Sequence, residues 1–198
     1  MICNLIFRFL GRLSRAFMTV WSTLFFRVGA RKCGENIKVV FPAFINIKGC
    51  CEVGDDFYCG PNFYYSSNKF SSVTIGDGVM FGPFVRIISG NHILNSTQCH
   101  IRYVRDDDSG TKRIVIESGS WVSAGVTILS GAHIGEGAVV GCGAVVSAYI
   151  PPYVIAVGVP ANKFRRRFSD EELGEMLSNI SSSYSLRDVL SIYEKYKL

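Results

Sequence analysis

From Ile116 onward an aliphatic residue returns every six positions: Ile116, Val122, Ile128, Ile134, Val140 and Val146. Three places after each of the first five comes glycine (Gly119, Gly125, Gly131, Gly137, Gly143). The position after that is small or β-branched (Ser120, Val126, Ala132, Ala138, Ala144). A period of six fits neither the 3.6-residue turn of an α-helix nor the strict alternation of a long strand. It fits a short strand and a turn repeated without pause, with glycine where the backbone takes a conformation that side chains penalise. The aliphatic residue, at the other fixed phase, points inward. Three such faces close a triangular coil, and coils stack about 4.8 Å apart so that backbone groups pair with the coils above and below. One coil cannot bury its own aliphatic row, so stability comes from the stack. An ordinary sandwich of strands would place turns every 8–12 residues or so with no fixed phase.

Looser repeats precede this block. Phe41, Ile47, Val53 and Cys59 are six apart, as are Ile75, Phe81 and Ile87; the period slips at 65–74 and breaks at 90–114. The expected organisation is a basic segment over 1–32, a β-coil over 33–160 with an insertion loop at 90–114, and a basic stretch with helices over 161–198. The 198 residues suit one domain. A hydrophobic share of 48% with 19% charge excludes an intrinsically disordered chain. Twenty glycines with only six prolines and no Gly-X-Y period exclude collagen. The net charge of +5 is uneven: Arg8, Arg12, Arg15, Arg27, Arg31 and Lys32 give the first 34 residues +6 without one acid, leaving −1 for the remainder. That is a near-neutral body with a basic head, not a nucleic-acid-binding face. Seven cysteines, an odd number without Cys-x-x-Cys, read as reduced thiols of a cytoplasmic protein. A redox pair at Cys50-Cys51 is the less favoured alternative.

Residues 1–28 interleave Arg8, Arg12 and Arg15 with bulky apolar residues. The longest uncharged run, Ala16 to Phe26, has 11 residues against about 20 for a membrane span. Arginines interrupting the apolar stretch also argue against a secretory signal. The segment reads as an amphipathic basic helix. It either packs on the domain or a neighbouring subunit, or makes peripheral contact with an anionic membrane surface. At the other end Ser169 is an N-cap, with Asp170, Glu171 and Glu172 in the first turn, so a helical tail with a packing role is expected.

Residues 33–168 resemble the hexapeptide-repeat acyltransferases, the galactoside, maltose and nodulation O-acetyltransferase branch above all. The specific stretch is Trp121–Phe168. A Trp-hydrophobe pair opens the run at Trp121-Val122, Ile150-Pro151-Pro152 ends the coil, and Gly158-Val159-Pro160-Ala161 leads to Arg165-Arg166-Arg167. The resemblance implies an all-β fold, a left-handed parallel β-helix. It also implies a homotrimer with sites shared between two subunits, and acetyl-CoA as acyl donor with no metal. Of the three histidines, His133 reads as an outer turn residue and His100 lies inside the insertion. His92 stands where the insertion leaves the coil, and loops on a rigid scaffold often carry function. By resemblance His92 is the general base, Asn91 orients it or touches the acceptor, and the backbone N–H of Ala124 stabilises the oxyanion. Imidazole, with an ordinary pKa near 6.5, suits proton removal from an alcohol at about neutral pH. The donor groove maps to Trp121, Ser123 and Ala124 near the thioester, Cys142 and Gly143 along the pantetheine, and Ser147 and Ala148 further out. Arg165, Arg166 and Arg167 are set against the phosphates or, alternatively, a solvated turn or membrane-facing patch.

Three departures from the family pattern matter. Ser123 replaces a glycine. Ser147-Ala148 replaces Thr-Lys, which removes one phosphate contact. The acceptor asparagine falls at Gly60, with Asn62 two residues on. Tyr58, Asn62, Phe63, Tyr64 and Tyr65 therefore either present a sugar-binding surface or form a structural cluster. The function implied is acetyl-CoA-dependent O-acetylation of a sugar in a bacterial surface polysaccharide or its lipid-linked precursor, in the cytoplasm or at the inner face of the membrane. Acetylation of a small acceptor (a free sugar, an amino-sugar nucleotide or a streptogramin-like antibiotic) is the alternative, and a non-enzymatic β-helix scaffold a further one. The histidines do not match the zinc-binding pattern of γ-class carbonic anhydrases.

Overall fold

The computed structural model describes residues 2–105 and 110–198, with side chains from Leu10 onward. The Arg8 side chain and residues 106–109 of the insertion lie outside the described residues. Short strands stack into three sheets, one for each face of a triangular coil. Face A comprises Lys32–Cys33, Cys50–Val53, Ser72–Ile75, Ile114–Ile116, His133–Ile134 and Tyr149–Ile150. Face B comprises Lys38–Val39, Tyr58–Cys59, Met80–Phe81, Trp121–Val122, Val139–Val140, Val154–Val157 and Lys163–Arg166. Face C comprises Ala43–Asn46, Phe63–Ser67, Arg86–Ser89, Thr127–Leu129 and Val145–Val146. Pairing is parallel throughout except for Lys163–Arg166, which returns antiparallel along Val154–Val157.

The register explains where the hexads hold and where they fail. Inward residues step by six from face A to face B (Ile75 to Phe81, Ile116 to Val122) and again from B to C (Phe81 to Ile87, Val122 to Ile128) in every coil. All length variation falls at the corner from C to A. The step there is ten residues from Tyr65 to Ile75, twenty-nine from Ile87 to Ile116, six from Ile128 to Ile134 and four from Val146 to Ile150. The inward rows are buried apart from half-buried Cys33 and Ile45 of the first coil, and they include all six aliphatic residues of the strict block. The five repeat glycines have φ between +61° and +91°. Gly125, at +72°, is the third residue of a turn that a Cβ would strain.

The first coil departs from its expected phase. Val39 and Ile45, not Phe41, align with the inward residues Cys59 and Tyr65. Phe41 is exposed and Ile47 only half-buried. The extra residues at the C-to-A corner shift the phase, so an extrapolated six-residue step lands on the wrong side of the strand.

Helix α1 (Ile2–Gly29) closes the open end of the stack. Phe26 is fully buried, its ring 5.8 Å from Phe57 and 6.3 Å from Phe63. The first coil has no coil before it to take up its amides, and α1 supplies acceptors instead. Thr23 Oγ1 accepts from the Val39 N–H at 3.0 Å and Thr19 Oγ1 from the Phe41 N–H at 3.3 Å. At the other end α2 (Asp170–Asn179) and α3 (Leu186–Tyr196) each begin with a capping box, at Ser169 and Ser185. They bury Leu173, Val189 and Tyr193 against the last coils, and the Tyr193 hydroxyl donates to the Tyr153 carbonyl at 3.1 Å.

Candidate active site

His92 and Asn91 are exposed at the C-to-A corner, where the insertion departs. Gly90 has φ +112°, and a Cβ there would lie 2.6 Å from Asn68 Cγ, so both backbone and space demand glycine. Asn68 Nδ2 donates to Thr111 Oγ1 at 3.2 Å, and Asn91 Nδ2 donates to the Gly110 carbonyl at 3.0 Å. Asn91 thus ties the outgoing end of the insertion to its returning end, and Asn68 of the preceding coil anchors the returning end; together they fix the backbone that carries His92. Asn91 is placed as part of this clamp.

Trp121 projects outward from face B, half-exposed. Two residues on, Ser123 is buried and Ala124 half-buried at the B-to-C corner. The Ala124 carbonyl accepts from the Gly143 N–H at 2.9 Å, which sets exposed Cys142 and Gly143 directly along the same corner. The Ala124 N–H itself donates to no backbone carbonyl among the described residues. Ser147 and Ala148 are exposed at the opposite edge of face C, the corner that His92 occupies two coils earlier. One row of outward side chains on face B runs Trp121, Val139, Ile155, Arg165.

The three arginines therefore have different fates. Arg165 is exposed on the Trp121 row. Arg166 lies on the reverse side of the same strand, where it is not presented to a groove ligand. It pairs with Asp170, and its guanidinium sits 4.8 Å from the Tyr193 ring centroid. Arg167 donates to the Gly137 carbonyl, and burial lowers its pKa.

The aromatic candidates also split by strand alternation. Tyr58 faces outward on face B, with Lys38 Nζ 5.9 Å from its ring centroid. Asn62 turns the B-to-C corner at φ +61°. Tyr64 stacks on Phe44 at 4.8 Å and 10°, outward on face C beside Arg86. Phe63 and Tyr65 belong to the core and cannot meet a ligand. Within one chain the His92 corner and the Ala124 corner are separated by the width of face C, about 15 Å for a five-residue crossing.

One polar cluster has no counterpart in the sequence reading. His133, a strand residue and not a turn residue, meets Glu117 at 2.5 Å. The Tyr184 hydroxyl donates to both Glu117 oxygens at 3.1 and 3.0 Å. Nearby, Tyr153 and Ser183 donate to Glu136. Burial works to raise the Glu136 pKa, but the hydrogen bonds from Ser182, Tyr153 and Ser183 outweigh it and hold the carboxyl below its usual range. The Tyr153 and Tyr184 hydroxyls are pushed up, by burial first and by their carboxylates second. Glu117, Glu136, Tyr153 and Ser183 border a cleft of about 610 Å³ that Met176 of α2 also lines. The cluster joins residues up to 67 apart in sequence, which no local motif announces. Among the described residues no group of three His, Cys, Asp or Glu side chains could hold a metal ion.

The fold and the placement of the irregular corner define the class: a left-handed parallel β-helix whose large insertion carries His92 and His100. Residues 113–148 match the family described as bacterial transferase hexapeptide (six repeats), which places the repeat of this chain among the hexapeptide-repeat transferases. It is 31% identical to galactoside O-acetyltransferase of Escherichia coli (strain K12) over 67% of its own length and 62% of that protein's. The chain thus spans less than two thirds of the curated relatives it matches. Among solved structures it resembles a galactoside acetyltransferase in complex with coenzyme A, with TM-score 0.61 and 28% identity over 75% of this chain and 70% of that one. It also resembles the hexapeptide-repeat acetyltransferase VCA0836 of Vibrio cholerae complexed with acetyl coenzyme A, with TM-score 0.60 and 26% identity over 71% and 72%.

Proposed function

We propose that the protein is an acetyl-CoA-dependent O-acetyltransferase. It acetylates a sugar hydroxyl of a bacterial surface polysaccharide or of its lipid-linked precursor, in the cytoplasm and as a homotrimer. The observation that carries this reading is the position of His92, on a clamped backbone at one edge of face C, while at the other edge lies the Ala124 amide, which donates to no backbone carbonyl among the described residues. The two corners of one chain do not meet, so a site holding both needs a second copy whose B-to-C corner faces the first copy's His92. The galactoside acetyltransferase and the Vibrio cholerae acetyltransferase, solved with coenzyme A and acetyl coenzyme A, support the donor.

In this site the acceptor oxygen attacks the thioester carbonyl as His92 takes its proton. The carbonyl oxygen becomes an oxyanion held by the Ala124 N–H, and collapse expels the thiolate of CoA, which the imidazolium reprotonates. Base catalysis of this kind supplies about 10²–10⁴-fold, with orientation and oxyanion stabilisation providing the remainder. Trp121, Ser123, Cys142 and Gly143 line the donor path and Arg165 meets its phosphates. Tyr58, Asn62 and Tyr64 lie toward the acceptor. A second reading, acetylation of a small free sugar, has in its favour the names of the curated relatives, which are galactoside enzymes. The test is release of free CoA thiol with a panel of glycans and free sugars. His92→Ala should lower kcat by about 10²–10⁴-fold with acetyl-CoA affinity unchanged. An undiminished rate in that variant would dismiss His92 as the base, and a preference for free galactosides over glycans would select the second reading.

A further inference from the structure

Helix α1 uses only one of its sides to close the coil. Ser22 and Phe26 are buried and Thr19 and Thr23 bond the first coil, all on a single face. The opposite face carries Leu10, Leu13, Phe17, Val20, Trp21, Leu24 and Val28, spaced at three and four, and each is 50–86% exposed. From Arg12 to Phe17 every residue is exposed, so the helix projects past the edge of the coil. No helix among the described residues is long and apolar enough to cross a membrane. A helix with a broad apolar face, a cationic polar face and too short an apolar run to span is suited to lying in a bilayer interface.

We infer that α1 is a lipid-binding end cap: its outward stripe inserts into the interface of an anionic membrane and stands the β-helix on its first coil. The charge selects this occupant over a second copy of the chain. Residues 1–34 carry six cations and no acid, so pairing two copies would gather two such sets with no counter-charge between them, whereas an anionic leaflet neutralises them. Trp21 sits within the stripe, where its amphipathic ring suits the headgroup boundary. Because the stripe points away from the coil, side-by-side copies with parallel axes present all their stripes on one plane, which multiplies binding. The inference does not rest on the transferase reading, since it concerns the opposite side of α1 from the coil and needs no catalysis.

The experiment is flotation of the full chain with phosphatidylcholine vesicles, alone or containing phosphatidylglycerol, with mass and melting temperature measured on each variant. Wild type should float with the anionic vesicles, release at high salt, and bind neutral vesicles weakly. Phe17→Glu/Trp21→Glu should abolish flotation while mass and melting temperature stay as in wild type. Arg12→Glu/Arg15→Glu should weaken it about twentyfold or more, since each cation near an anionic surface is worth roughly fivefold in affinity. Failure of wild type to float at low salt would overturn the inference. So would a drop in mass for Phe17→Glu/Trp21→Glu, which would make the stripe a subunit interface.

Discussion

Replacing Ala124 with proline removes one hydrogen-bond donor and almost nothing else. The same turn position in the two preceding coils already holds proline, at Pro61 and Pro83. The Phe84 N–H donates to the Pro61 carbonyl and the Gly125 N–H to the Pro83 carbonyl, both at 2.9 Å, which fixes the equivalence. The space is equivalent too. A Cβ on Gly60 would lie 2.8 Å from the Pro83 nitrogen, and a Cβ on Gly82 would lie 2.7 Å from the Ala124 nitrogen. The proline ring at 124 therefore packs over Gly82 as the ring of Pro83 packs over Gly60. Proline is also favoured at the second position of a turn whose third residue has positive φ. Since the Ala124 amide donates to no backbone carbonyl among the described residues, none of their backbone bonds is lost. Stability should hold or rise by about 0.4–1 kcal/mol through the less flexible unfolded chain. Loss of one oxyanion donor should lower kcat about 10²–10³-fold, or about 2.7–4 kcal/mol of transition-state stabilisation. Thiol release at saturating acetyl-CoA, alongside a melting curve, reads both quantities. A variant that melts like wild type and turns over within a few-fold of it would refute the assignment of this amide.

Phe26→Ala should cost about 3–5 kcal/mol in urea unfolding, because α1 would lose the ring that plugs the coil; a loss below about 1 kcal/mol would mean the helix is merely apposed. Gly90→Ala forces a side chain into φ +112° and against Asn68, so a destabilisation of about 1–3 kcal/mol is expected. Its kcat should fall while acetyl-CoA affinity holds, and a normal kcat would show that the corner does not position His92. Glu136 has a folded pKa below its ordinary value of 4.5, so the unfolded chain takes up the proton first. Its stabilisation is complete above that ordinary value and is lost as pH falls through the lower folded one. Melting curves should show wild type ahead of Glu136→Gln at neutral pH, with the gap closing below about pH 4.5; a gap independent of pH would contradict the network.

The strict block from Ile116 to Val146 was legible because two corners of the coil admit only six-residue steps, so buried residues and turn glycines stay in phase. Phe41 misled for the complementary reason: the third corner takes any length, and phase cannot be carried across it. His92 was legible as the point where the period breaks. What holds it there, Asn68 and Asn91 bonding to Thr111 and Gly110, depends on residues brought together by the coil. Arg165 and Arg166 were indistinguishable as neighbours in a basic run, since only a strand sends them to opposite sides, and nothing in the local spacing signalled an antiparallel return. The Glu117, His133 and Tyr184 cluster needed the stack and the C-terminal tail at once.

In the proposed site His92 and the Ala124 amide act on one acetyl group from two different copies of the chain. The direct measurement is activity after unfolding and refolding an equal mixture of His92→Ala and Ala124→Pro proteins, each expected to retain about 1% of wild-type kcat or less alone. If sites form between copies, about a quarter of those in randomly mixed trimers join an intact His92 to an intact Ala124, and activity should return to that level. Activity no higher than that of the two separate variants would contradict the shared site.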